Sequence, residues 1–398
     1  MPAPTFIESI GNTGYMAMGL QTNPTTPVTP GIFALLQSET LQTTYNLEMQ
    51  TPIAGNYMDT FQVLPGLRGH AGDFTIVAEP NTAKPVFDML LKQGSKTGTG
   101  PYTWPYTLDN PSNSYTIDIP VGSGLVKRFW GVMSEGVSPS FSKNQLNLKS
   151  TVSALGSFQG RKLSAAPTGT GTFSVVLDTA YTPTPTLGLV AGDLIRFYTA
   201  ASATIDATVS AVTNGTTFTT SVDVTSFAAD DFVYLRQQTT SYTLLSPFLW
   251  SNTQFCFGAD ATTALSATQT RVEQGSTFSL AWPFESKDGS PRSGNADPAS
   301  LVRLTAQPTL TIKKFFGNPQ DIENFNQLTK TACVIRCYAY VGAVTYELRV
   351  TFNHIKTDSP TPSITAKQVN YSNIKYIPQY DQTDGVGFGI TIINGLAA

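Results

Sequence analysis

Few residues in this 398-residue chain have types and spacings that could do chemistry, and none forms a complete constellation. His70 and His354 belong to no nucleophile or metal motif. Cys333 and Cys337 lie four apart on one face of a strand-like run and read as small buried hydrophobes. With Cys256 they make an odd set of three without framework spacing, so no disulfide scaffold is specified. A zinc site would need more ligands. The carboxylate pairs, Asp230 with Asp231 and Asp381 with Asp384, fall in loops and read as solvated turn residues. The chain contains no G-x-S-x-G, P-loop, G-x-G-x-x-G behind a strand, or H-E-x-x-H. Gly94, Gly98 and Gly100 follow a helical pattern and lack the Lys-Ser ending of a phosphate loop. A glycosidase pair need not be close in the chain, so that one enzymatic alternative stays open. The expectation is a non-enzyme without cofactor or metal.

The elements that would position any site are instead duplicated. Residues 138–147 (SPSFSKNQLN) return, degenerate but legible, as residues 361–370 (TPSITAKQVN). Each copy alternates as a strand would, and its proline predicts a strand start, where the missing N–H is tolerated. Residues 67–92 and 303–330 form a second matched pair. Each has an alternating strand, a proline turn and an apolar helical stripe: Phe74 to Val77 then Val86, Phe87, Leu90 and Leu91 in one; Leu310 to Ile312 then Ile322, Phe325 and Leu328 in the other. Residues 39–50 and 271–283 form a weaker third pair. Three matches in colinear order predict a duplicated module. Thr82 and Asn318 are the expected N-caps, with Pro85 and Pro319 in the first turns and Lys92 and Lys330 closing the helices where the dipole favours cations. The fold expected is mainly β: two tandem β-sandwich or barrel modules, residues 1–164 and 241–398, each with one flanking α-helix. Between them, residues 165–240 read as a small inserted all-β domain, with a hairpin turn at Asn214-Gly215.

Composition points the same way. Charged residues make up 13%, about half the usual share for soluble domains. Solvent-exposed sheet edges normally carry charge against aggregation, so low charge on a strand-rich chain suggests surface covered by partners. A net charge of -3 excludes a basic nucleic-acid reader. Residues 1–10 show no basic start and apolar core of a signal peptide, and no apolar run approaches a membrane span. The Thr/Pro-rich residues 22–30 predict an extended arm able to lie across a neighbour. The long polar loops at residues 50–60 and 285–297 are of a length usually kept for function.

The order strand, long loop, strand, helix, strand pair and Ser-Pro-Ser strand resembles the tail tube proteins of long-tailed, siphovirus-like bacteriophages, in particular the subfamily whose tube module occurs twice. Residues 39–50, 67–91, 115–119 and 131–155 carry the likeness together with their second-copy partners, and it covers roughly residues 1–160 and 240–398. The middle stretch departs from the pattern. The resemblance implies a structural virion protein, assembled in the host cytoplasm and located in the tail. Six modules make a ring around DNA, so two modules per chain imply homotrimeric rings stacked into the conduit for genome passage. It also implies the tape measure protein and the tail terminator and tip proteins as partners, double-stranded DNA in transit without specific binding, and no membrane.

Carried over, the long loops contact the adjacent ring through Pro52, Gly55 and Asp59 in the first copy and Lys287, Asp288 and Arg292 in the second. Thr43, Tyr45, Leu47, Phe278 and Leu280 lie on strands that line or back the lumen. The competing readings are a capsid decoration or baseplate protein, which lacks a duplicated helix-bearing module, and a monomeric carbohydrate-binding β-protein, which needs an aromatic groove. Trp104, Trp130, Trp250 and Trp282 are scattered along the chain and specify no such groove.

Overall fold

The computed structural model describes residues 15–45, 48–50, 62–64, 66, 68–111, 113–122, 124–180, 182, 184–199, 204–238, 245–285, 301–315, 320–363, 371–380 and 385–396. The protein is mainly β, its strands joined into a large antiparallel hydrogen-bonded sheet system. Among the described residues no helix is long and apolar enough to cross a membrane.

The first half runs through β1 (Met16–Gln21), β2 (Leu36–Glu39), β3 (Gln42–Tyr45), β4 (Arg68–Val77), α1 (Pro80–Asp88), β5 (Tyr102–Thr107), β6 (Ser114–Gly122), β7 (Leu125–Ser142), β8 (Gln145–Ser153) and β9 (Gly156–Phe158). A middle stretch follows: β10 (Thr172–Val176), β11 (Leu194–Tyr198), β12 (Thr204–Val212), β13 (Thr217–Thr220) and β14 (Phe232–Arg236). The second half comprises β15 (Thr253–Gly258), α2 (Ala261–Ser266), β16 (Thr277–Ala281), β17 (Gln307–Phe315), α3 (Gln320–Asn326), β18 (Thr331–Val341), β19 (Val344–Ser363), β20 (Tyr371–Pro378) and β21 (Phe388–Asn394).

Strand pairing repeats between the halves. In the first, β1 pairs with β6, β6 with β7, β7 with β8, β8 with β4, β4 with β3, and β7 with β9. In the second, β15 pairs with β18, β18 with β19, β19 with β20, β20 with β17, β17 with β16, and β19 with β21. Each half places a helix after the strand β4 or β17, and each breaks its longest strand with a bulge. The bulge falls at Glu135 in β7, between Ser134 and Gly136, and at Asp358 in β19, between Thr357 and Ser359. The halves share one contiguous apolar core that reaches from Met16 and Phe74 to Val350 and Ile392. The middle stretch has its own core of Phe173, Ile195, Phe197, Phe218 and Val233, onto which Val126, Trp130 and Phe158 of the first half pack.

Several local expectations are corrected. The Ser-Pro-Ser motif spans a hairpin rather than opening a strand: Pro139 lies inside β7 opposite Leu148, and the turn is Lys143-Asn144, both at positive φ (49° and 70°) as a two-residue hairpin turn requires. Helix α1 begins at Pro80 with Glu79 as N-cap. Thr82 is instead the third helical residue, and its Oγ1 accepts from the Glu79 N–H at 3.1 Å. Pro85 sits in the helix interior, and Lys92 lies beyond the helix, ion-paired with Asp109. Lys330 likewise falls outside α3, while Asn318 and Pro319 lie outside the described residues. The second half carries an additional short helix, α2, capped by the Asp260 carboxylate, which accepts from the Thr263 N–H. The hairpin turn expected at Asn214-Gly215 is present, joining β12 to β13, and the asparagine side chain accepts from the Thr216 and Thr217 N–H groups. Residues 22–30 fold back on their own sheet instead of extending as an arm: Gln21 Nε2 donates to Thr26 O and Val28 N to Thr116 Oγ1.

Candidate functional site

The residues with chemical potential are engaged in the fold. His70 is buried, with Nδ1 2.9 Å from Thr43 Oγ1 and its ring edge-on to Phe129. All three cysteines are buried free thiols. Burial pushes Cys337 up to about 12 and Cys333 higher still, so neither supplies a thiolate nucleophile near neutral pH. Asp230 occupies a turn at φ 72° and pairs with Lys162, and Asp231 accepts from the Ala228 N–H. Asp381 and Asp384 lie outside the described residues. Among the described residues, no group of three or more His, Cys, Asp or Glu could hold a metal.

Charged networks hold elements together. Asp88, at the end of α1, takes Lys84 Nζ (2.8 Å), Tyr106 OH (2.6 Å) and Tyr115 OH (2.5 Å), and none of the four residues is more than 2% exposed. Burial, then the Asp88 charge, pushes both tyrosine hydroxyls well above their ordinary value, so they donate to the carboxylate and stay protonated. Arg128 bridges Asp118 and Asp193 across the boundary with the middle stretch. Glu347 accepts from Arg336 and Arg349; burial opposes its ionisation, but the Arg349 and Arg336 guanidinium groups hold it below the ordinary carboxylate value. A carboxylate with a depressed folded-state pKa contributes stability above its unfolded value, lost as pH falls through the folded one. Thermal midpoints are therefore expected to hold down to about pH 5 and decline below about pH 4. Glu347→Gln should flatten part of that decline, which melting curves at a series of pH values would check.

The surface that stands out is the joint between the halves. Near its Glu135 bulge, β7 pairs with the outer edge of β16, Gly136 opposite Ala281 and Val137 opposite Leu280. A Cβ on Gly136 would sit 2.9 Å from Leu280 O, so this approach requires glycine. The Trp282 N–H donates to Glu135 O at 2.6 Å. Arg303 closes the seam: Nη2 donates to Met89 O at the end of α1 (2.9 Å), Nη1 donates to Trp282 O (3.2 Å), and its guanidinium lies 4.8 Å from both the Trp282 and Phe284 rings. Burial pulls Arg303 down to about 10, with Glu135 acting in the other direction, so it remains a cation at neutral pH. A second strand contact joins β5 to β21, where Trp104 Nε1 donates to Asn394 Oδ1 and Asn394 Nδ2 to Pro80 O. Together these bury α1 on nearly all sides.

The counterparts of these surfaces are open. β3 corresponds to β16, but among the described residues it pairs only with β4. Lys127 covers part of the neighbouring chain, donating to Leu41 O and pairing with Glu39. Beside β3 lies a cleft of about 290 Å³ lined by Thr43, Tyr45, Arg68, Gln159, Arg161 and Lys162, with Tyr45 51% exposed. Helix α3 corresponds to α1, yet Phe325 is 39% and Leu328 60% exposed.

The sequence-predicted residues divide accordingly. Thr43 and Tyr45 lie together on the open edge. Phe278 and Leu280 point into the core of the second half and can only back a surface. Leu47, Pro52, Gly55, Asp59, Lys287, Asp288 and Arg292 lie outside the described residues. Sequence reasoning missed Glu135, Asp358, Arg68 and Arg303. A signal was present: an acidic residue stands three positions ahead of the repeated motif in both copies, Glu135 before Ser138 and Asp358 before Thr361. No protein-family model matches the chain, and no curated protein matches it.

Proposed function

We propose that the chain is a structural subunit of a phage tail tube, each copy contributing two tandem tube modules so that three copies complete a pseudo-sixfold ring. The observation that carries this reading is the joint. One half docks on the other by strand pairing and a buried helix, while the counterparts of the same two surfaces are open. A head-to-tail contact of this kind closes into a ring when its rotation allows, and otherwise propagates as a filament. Adding copies pairs the open edge of β3, removing the exposed N–H and C=O groups that make sheet edges prone to aggregation. The sparse charge of the chain fits a surface that is largely covered in the assembly. With a net charge of -3, a ring made of this chain is not overall basic, in keeping with a passage that lets DNA through without gripping its phosphates.

In solution the purified chain is expected to populate a species of three times its 42.7 kDa mass, growing to larger multiples with concentration. Sedimentation or mass photometry measures this. A chain that stays monomeric at all concentrations contradicts the reading.

A further inference from the structure

We propose that Arg68 of one copy does between copies what Arg303 does within the chain: it receives the C-terminal turn of α3 and the Asp358 bulge of a second copy. The inference rests on the tube-subunit reading and names the surface that joins the rings' subunits.

The correspondence is set by the strand pairing. Arg68 faces Tyr45 across the β3–β4 ladder, and Arg303 faces Phe284 across the same hairpin of the second half, so each half has a cross-strand aromatic–arginine pair. Inside the chain, Arg303 meets the end carbonyl of α1 and lies near Glu135 at the β7 bulge. The equivalents of those two partners are the end of α3 and Asp358 at the β19 bulge. Both lie at the surface. Asp358 is 35% exposed and pairs with Lys375 at 3.1 Å, and Leu328 ends the α3 turn at φ 52°.

The chemistry of the two faces is complementary. The cleft beside β3 collects Arg68, Arg161 and Lys162, the last already ion-paired with Asp230, together with Tyr45. The facing surface offers the negative end of a helix without a basic residue in its last turn, together with Glu323 and Asp358. Phe325 and Leu328 supply exposed apolar surface that corresponds to Phe87, Met89 and Leu90, all buried at the internal joint. The occupant of the cleft is thus a second copy of this chain, bound through its other half.

The test uses Arg68→Glu, which spoils the cleft, and Leu328→Asp, which spoils the α3 face and suits the left-handed backbone there. Each variant alone is expected to associate at least about 30-fold more weakly than wild type, the loss typical of a broken charged contact at an interface. Mixed in equal amounts they should form a dimer and no ring, because one intact cleft meets one intact α3 face. Unfolding midpoints near wild type confirm that the variants are folded. If Arg68→Glu does not fold, Tyr45→Asp replaces it in the same cleft with the same expected result. Wild-type-sized assembly of either variant, or a mixture that stays monomeric, overturns this seam while leaving the tube reading standing. A wild-type chain that never associates overturns both.

Discussion

Arg128→Met is expected to lower the free energy of unfolding by about 3–5 kcal/mol, the cost of leaving a buried charge without its partner. Arg128 is fully buried in β7. Its Nε and Nη2 donate to Asp118 at 2.7 and 2.8 Å, and its Nη1 and Nη2 to Asp193 at 2.6 and 3.0 Å. Nη1 also donates to Gly188 O. Burial pulls the guanidinium pKa down, and the two carboxylates more than reverse that. Removing the cation strands two carboxylates in low dielectric, and burial already pushes Asp118 upward. Asp118 would take up a proton more readily in the variant, so its deficit should shrink as pH falls toward 5. Asp193 belongs to the middle stretch and Asp118 to β6, so the variant should also expose residues 165–240 to proteolysis before the rest. Replacing all three residues with apolar ones of similar size should recover most of the loss, as replacing a whole buried ionic group generally does. Chemical denaturation of the two variants would show this; equal losses in both would mean that packing, and not charge, dominates the site.

A second effect of similar size is expected at Asp88. Asp88→Ala leaves the Lys84 ammonium buried and strips two tyrosine hydroxyls of their acceptor, for a loss of about 3–5 kcal/mol. Lys84 keeps its position over the Trp104 ring, 4.3 Å from the centroid, which cannot replace a carboxylate. The consequence reaches beyond α1. Tyr106 lies on β5, the strand that pairs with β21, so loosening this network should weaken the joint between the halves as well as the helix. The paired change Lys84→Met with Asp88→Leu should cost much less. Hydrogen exchange would localise the effect, with faster exchange expected in β5 and β21 as well as in α1. Exchange confined to α1 would show that the network pins the helix alone.

The core strands and the first helix were legible because alternation is a local signal. Phe74 to Val77 and Leu310 to Ile312 mark core strands in the sequence, and both are fully or largely buried. The stripe of Val86, Phe87, Leu90 and Leu91 located α1, although its start was misplaced because Thr82 looks like a cap and Glu79 does not. The Ser-Pro-Ser motif was read with the wrong geometry. Nothing in a run of ten residues distinguishes one strand from a hairpin whose turn is Lys143-Asn144, since the usual Asn-Gly signal is missing. The joint was harder to see. Pairing of β7 with β16, and of β5 with β21, joins residues more than a hundred positions apart, and no local pattern encodes such a pairing. Arg303 in particular reads as an ordinary surface cation until the end of α1 is brought against it. The acidic residue three positions ahead of each repeated motif was visible, but its meaning depends on the bulge, which only the register reveals.

End-on electron microscopy of the purified chain, with rotational averaging of the views, tests the ring directly. Threefold rings with six similar lobes that stack into tubes are the expected result. A monomer at every concentration, or rings with a symmetry not divisible by three, would contradict it.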